Sequence, residues 1–156
     1  MKELLSKYIK ENLEKLSRFS AKRILQADMC YSDDINTYIN DNKDENKFQK
    51  LLFNHIDRRN LKDSDVYNKA HIDRRLFSKI RSDSNYHPSK ETVILLGIAL
   101  ELNEDEIEDL LLSASYSLPK NNYYDLIIRF CFKNGIYDIF IINDFLNDYN
   151  CKLLNV

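Results

Sequence analysis

Ala70-His71-Ile72-Asp73-Arg74-Arg75-Leu76-Phe77-Ser78-Lys79-Ile80-Arg81 is the stretch that decides how this chain reads. Asp73 is an N-cap residue standing directly before Leu76, Phe77 and Ile80, an apolar set at helical spacing, so a helix begins there. With Phe77 and Ile80 turned inward, together with Leu76 or Val66, the residues Arg74, Arg75, Ser78, Lys79 and Arg81 are left outward or at the helix ends. Upstream, Asp63 or Ser64 can cap a short helix that ends near Ala70. Two short helices therefore meet across Ala70-His71-Ile72-Asp73.

Regular helical signals extend on both sides. Phe48, Leu51, Leu52 and Ile56 form one apolar face. Pro88-Ser89 marks a new start, with Ser89 as cap and Val93, Leu96, Gly97 and Leu100 as the buried stripe. Asn103 with Glu106 three residues on is a capping-box variant ahead of Ile107, Leu110, Leu111 and Ala114, and Pro119 closes that unit. Two more apolar helices follow. One runs from about Tyr123 to Asn134 and stops at Gly135 in a left-handed cap; the other runs from about Asp138 to Tyr149, although Ile139-Phe140-Ile141-Ile142 is rich in strand formers. Residues 3 to 30 read as one or two amphipathic helices through Leu5, Tyr8, Ile9, Leu13, Leu16 and Phe19. Ile35, Tyr38 and Ile39 form a short apolar cluster. Asn40 to Lys47 is the most polar interval and the best linker candidate. This reading divides the chain into an N-terminal extension (1–31), a central domain with its lead-in (32–118) and a C-terminal helical pair (119–156).

Composition agrees with an all-α protein. Among 156 residues only Gly97, Gly135, Pro88 and Pro119 are glycine or proline, too few for the turns of a sheet protein. Hydrophobic residues make up 44% and charged residues 31%, the balance of a folded chain. The formal net charge of -2 excludes nucleic-acid binding over the whole surface and confines it to a local patch. From His71 to Lys90 the cations Arg74, Arg75, Lys79, Arg81 and Lys90 outnumber Asp73 and Asp83, a net +3, whereas Glu101 to Asp109 carries six acids and no base. No apolar run follows Met1 and no stretch approaches a membrane span, which predicts a cytoplasmic protein. Cys30, Cys131 and Cys151 stand at no metal or redox spacing and read as idle thiols.

Asp73-Arg74-Arg75-Leu76-Phe77-Ser78-Lys79-Ile80, Pro88-Ser89-Lys90-Glu91-Thr92 and Ala99-Leu100-Glu101-Leu102 with Leu110-Leu111 resemble the Cro/λ-repressor-like (XRE) helix-turn-helix family over about residues 48–112. The resemblance implies a five-helix core, here with extra N-terminal and C-terminal helices. It also implies a recognition helix around 73–81 that enters the major groove of double-stranded DNA. On that reading Arg74, Arg75, Ser78, Lys79 and Arg81 contact bases or phosphates, and the protein is a DNA-binding transcriptional regulator of bacterial or phage type. Two positions depart from the family pattern. Tyr67 stands where a small residue usually lets two helices cross, and His71 stands where the turn usually has Gly.

An alternative stays open: a helical interaction module, an adaptor or inhibitor, that keeps the fold without reading DNA. The cations on 74–81 would then be a solvated face paired with Asp73 and Asp83. Tyr67, Tyr86, Tyr116, Tyr123 and Tyr124 read as core or half-buried packing, with Tyr86 alone placed to stack on a base. The acids at 101–109 read as a solvated helix face. With no phosphate loop, no nucleophile–base pair and no ligand spacing among His55, His71 and His87, neither an enzyme, a cofactor nor a metal is expected. Leu126, Ile127, Phe130, Phe132, Ile139, Phe140, Ile142, Phe145 and Leu146 exceed one internal face. They suit either a homodimer or protein-partner surface or an enlarged monomer core.

Overall fold

Every regular element among the described residues is an α-helix, and strands are absent there. The computed structural model describes residues 34–41, 43 and 46–155. The chain divides into two compact units, 1–44 and 45–156. In the first, residues 34–41 are helical with Ile35, Tyr38 and Ile39 exposed; the helices expected over 3–30, and Cys30, lie outside the described residues. The second holds α1 (Lys47–Arg58), α2 (Asp63–Lys69), α3 (Arg74–Ser82), α4 (Lys90–Ala99), α5 (Glu104–Ser113), α6 (Tyr123–Lys133) and α7 (Ile139–Asp148). No helix among the described residues is long and apolar enough to cross a membrane.

Five helix starts carry side-chain caps. Asp73, Ser89, Asn122 and Asp138 accept from the backbone N–H groups of Arg75, Thr92, Asp125 and Phe140 at 2.6, 3.1, 2.8 and 2.9 Å. Asn103 and Glu106 close a reciprocal capping box at 2.9 and 3.0 Å. The expected cap of α2 is corrected: Lys62 holds the cap position without a side-chain bond, and Asp63 is the first helical residue. The run Ile139–Ile142 is helical despite its strand formers. Asp138 anchors its start, and Ile139, Ile142 and Leu146 recur at helical spacing on the buried side.

Helix ends are made by a device that does not need glycine. Asn60, His71, Glu101, Ser115 and Asn150 have φ between 51 and 61°, and Gly135 has φ 66°. Each follows a helix, and the next residue donates its N–H back into the last turn: Leu61 to Ile56, Ile72 to Tyr67, Leu102 to Gly97, Tyr116 to Leu111, Ile136 to Cys131 and Cys151 to Leu146, at 2.8–3.2 Å. These are Schellman closures, each followed by an apolar or aromatic residue or cysteine that folds back toward the helix it closes.

α4 lies at the centre of this unit. Thr92 through Ala99 are buried without a break, so the helix has no solvent face. α2 and α5 pack on it, α1 packs on α5, and α6 and α7 pair. Around α4 close Leu52, Ile56, Val66, Phe77, Ile80, Ile107, Leu110, Ile128 and Phe132, each at most 3% exposed. Burial of one such side chain stabilises by roughly 1.5–3 kcal/mol. A Cβ at Gly97 would run into Ile107 Cδ1 and stand 3.2 Å from Phe132 Cζ, so the glycine lets α5 and α6 approach α4 together.

The C-terminal apolar set divides between interior and surface. Phe132, Ile139, Ile142 and Leu146 join the core; Leu126, Phe130 and Phe140 are exposed, and Ile127 and Phe145 are intermediate. Three polar ties hold the pair to the preceding helices. Lys90 donates to the buried Asp125 at 2.5 Å, Arg129 bridges Glu104 and Glu108 and donates to the Leu118 carbonyl, and the Tyr137 hydroxyl donates to the Leu102 carbonyl at 2.8 Å. The tail ends on buried Leu154, whose backbone pairs with the Asn143 side chain, while Glu91 accepts from Lys152 Nζ and Asn155 N–H.

Gly97→Leu forces the α4–α5–α6 contact apart and is expected to destabilise the protein by about 3 kcal/mol, the upper range for overpacking. Urea unfolding measures this, and an unchanged midpoint would refute the three-helix contact. His71→Gly removes the left-handed strain of a side chain at the α2–α3 turn and is expected to stabilise by about 0.5–1 kcal/mol; a loss of stability in the same assay would contradict that account of the turn.

Candidate nucleic-acid interface

α3 is a nine-residue helix fixed at both ends. Asp73 caps its start, and Gln49 of α1 donates from Nε2 to the carbonyls of Ile80 and Asp83 at 2.6 and 2.7 Å. Phe77 and Ile80 are buried and Leu76 is half-buried, as the spacing predicts. The opposite side carries Arg74, Arg75, Ser78, Lys79 and Ser82 on one open face, bordered by Asp83.

The five site residues expected from sequence do not behave alike. Arg74 and Arg75 are exposed and have no ion-pair partner among the described residues. Ser78 is exposed between them on the same face. Lys79 is exposed with its Nζ held 4.9 Å from the centre of the half-buried Tyr86 ring. Arg81 is committed elsewhere: it donates to Asp63 Oδ1 at 2.5 Å and stacks 4.1 Å over the Phe53 ring. Lys90, counted in the basic segment, is bonded to Asp125. The free positive charge of this surface is therefore Arg74, Arg75 and Lys79.

Asp73 and Asp83 do not pair with these cations. Asp73 caps α3, and Asp83 Oδ1 accepts from the Asn85 N–H at 3.0 Å. Two further acids, Asp63 and Asp65, lie in the first turn of α2. The two atypical positions are both accommodated. His71 takes the left-handed conformation at φ 51° and leaves the turn hydrogen bond from Ile72 N–H to Tyr67 carbonyl at 2.9 Å. The Tyr67 ring is half-buried and tilts against Phe77 with centroids 5.7 Å apart. Of the other tyrosines, Tyr86, Tyr116 and Tyr124 are half-buried, but Tyr123 is exposed, against expectation.

The acids of 101–109 are not simply a solvated face. Glu104 and Glu108 bind Arg129, Glu101 binds Lys69, and Glu106 receives both Nη2 contacts of Arg59 at 2.9 and 3.1 Å. Arg59 also donates from Nη1 to Nδ1 of His55, a buried residue of α1, at 3.1 Å. That bond makes Nδ1 the acceptor and puts the ring proton on Nε2, which has no hydrogen-bond partner among the described residues. Burial lowers the His55 pKa from its ordinary 6.5, with Arg59 and Arg58 adding to the effect and Glu106 opposing it. For Glu106, burial pushes the carboxyl upward. Bonds from the Asn103 N–H and Arg59 outweigh that and hold it below 4.5.

Among the described residues no group of three His, Cys, Asp or Glu stands together as a metal site. Burial pushes the Cys131 thiol up to about 11, and Cys151 is half-buried. Compared with protein-family models, with curated proteins and with solved structures, the chain matches none.

Below pH 6.5 the unfolded chain takes up a proton at His55 that the folded chain resists, so stability falls as pH drops through that value. A second fall begins below about 4.5, where the unfolded chain protonates Glu106 before the folded one does. Urea midpoints from pH 8 to pH 4 check this. His55→Gln is expected to flatten the first step, and a wild-type midpoint constant from pH 7 to pH 5 would contradict the buried-histidine account.

Proposed function

We propose that this chain is a DNA-binding transcriptional regulator of bacterial or phage type, acting in the cytoplasm. α2, the turn at 70–73 and α3 form its helix-turn-helix, and α1–α5 form a λ-repressor-like five-helix core. The observation that carries the reading is the unpaired cationic face of α3. Arg74, Arg75 and Lys79 surround Ser78 on a helix fixed at both ends, in a protein whose net charge is negative. Such a face suits a duplex. Arginine near the helix start pairs in bidentate fashion with guanine O6 and N7, the serine hydroxyl bonds a base or phosphate, and the lysine neutralises a phosphate. Arg81 acts as a strut between α3 and α2 and not as a DNA contact.

A second reading, a protein-interaction module of adaptor or inhibitor type, draws support from Asp65 in the first turn of α2, an acid that no cation neutralises among the described residues. Carboxylates there repel the phosphates that a helix start otherwise attracts.

Selection of bound fragments from random duplex DNA by the purified protein separates the two readings. A regulator enriches a motif, and Arg74→Glu with Arg75→Glu and Lys79→Glu lowers affinity for it by at least about 30-fold, since each of the two lost arginine–guanine pairs is worth about 1–3 kcal/mol. Arg81→Gln is expected to cost stability and to leave the selected motif unchanged. If neither the native protein nor the triple variant retains DNA near physiological salt, the regulator reading is withdrawn in favour of the interaction module.

A further inference from the structure

The α6–α7 hairpin presents an apolar groove of about 400 Å³ that the DNA-reading face does not use. Tyr123, Leu126, Ile127 and Phe130 line it from α6 at steps of three and four residues; Phe145 and Tyr149 line it from α7. Tyr123 and Phe130 are 64% and 53% exposed, Tyr149 56%. These are aromatic side chains on capped helices, where an ordered interior partner is absent and a pre-formed one-sided surface remains.

The charges at its two borders differ in sign. α6 also bonds α5 through Arg129, which fixes the side of α6 turned away from α7. One helical turn after Arg129, on that same side, stands Lys133, exposed and without an ion-pair partner among the described residues. α7 packs on its buried Ile139, Ile142 and Leu146, which places Ile141, Asp144 and Asp148 on its border away from α6. Asp144 and Asp148 are exposed and equally unpaired among the described residues. A partner helix of one charge sign would satisfy one border and be repelled by the other.

We propose that the groove binds a second copy of this chain, through a two-fold axis running along the α6–α7 hairpin. That operation lays α6 of each copy over α7 of the other. It closes the two aromatic stripes on each other and brings each Lys133, at the hairpin end of α6, to the side of the second copy's α7 that carries Asp144 midway along the helix. The aromatic stripes supply the attachment and the border charges select the pairing. The inference does not depend on the DNA reading, because self-association is measured without DNA.

Sedimentation equilibrium of the full chain across 1–100 μM tests it. The native protein is expected to be a dimer and Phe130→Glu a monomer that keeps the native helical circular dichroism, because Phe130 lies outside the core. Lys133→Glu should weaken the dimer several-fold, and the double charge exchange Lys133→Glu with Asp144→Lys should restore it. A native protein that remains monomeric at 100 μM overturns the proposal. So does a dimer insensitive to Phe130→Glu, which would place the interface elsewhere. A double exchange no better than Lys133→Glu alone would overturn the stated symmetry.

Discussion

The rest of the structure depends on the complete enclosure of α4. A ten-residue helix whose residues 92–99 are all buried cannot be served by one neighbouring layer, because a helix packed on one side leaves a polar stripe to solvent. α2 and α5 account for part of its surface, and Phe132 from α6 accounts for the part around Gly97. The C-terminal hairpin is thus a structural member of the unit, and Lys90–Asp125, Arg129–Glu104 and Tyr137–Leu102 are the polar side of that attachment. A glycine in the middle of a helix costs about 1 kcal/mol against alanine; here the close approach of two neighbours to one point offsets that cost.

Much of this was legible in the chain because it is written in local chemistry. Asp73, Ser89 and Asn103 are short polar side chains a few residues ahead of apolar positions at helical spacing, and each is found capping a helix. The spacing of Phe77 and Ile80, and the close approach at Gly97, followed from periodicity and from the cost of glycine in a helix. Helix ends were harder to see. A reader looking for glycine finds one, at 135, while five other ends use Asn, His, Glu or Ser in the left-handed region. The signal was present in another form: an apolar residue or cysteine stands immediately after each of these positions, at 61, 72, 102, 116 and 151. His71, which looked like a defect of the turn, belongs to this general habit of the chain.

Long-range polar partners were not legible, and this changed the site most. Arg81 and Asp63 are 18 residues apart, Lys90 and Asp125 are 35 apart, and Arg59 and Glu106 are 47 apart. Nothing in local spacing couples such pairs. Counting charges by segment therefore overstated the basic surface and mistook the acids of 101–109 for a solvated face, when four of the six bind cations on other helices. Gln49 was passed over for the same reason: its role, holding the last carbonyls of α3, exists only after α1 and α3 are packed.

The pattern of pairing has its own consequence. Three of the six arginines in this unit, Arg59, Arg81 and Arg129, tie separate helices together; the Arg59 and Arg129 pairs are the more buried, and Arg81 stacks on the Phe53 ring. Arg74 and Arg75, like the exposed Arg58, do not share that usage. They occupy the first two positions of α3, where the positive end of the helix dipole disfavours further cations by a few tenths of a kcal/mol. A stability argument would put acids there, as α5 does with Glu104, Asp105 and Glu106. Two exposed arginines at a helix start, without an ion pair among the described residues and held over a turn that closes despite His71, are the feature on which the proposed DNA-reading role rests.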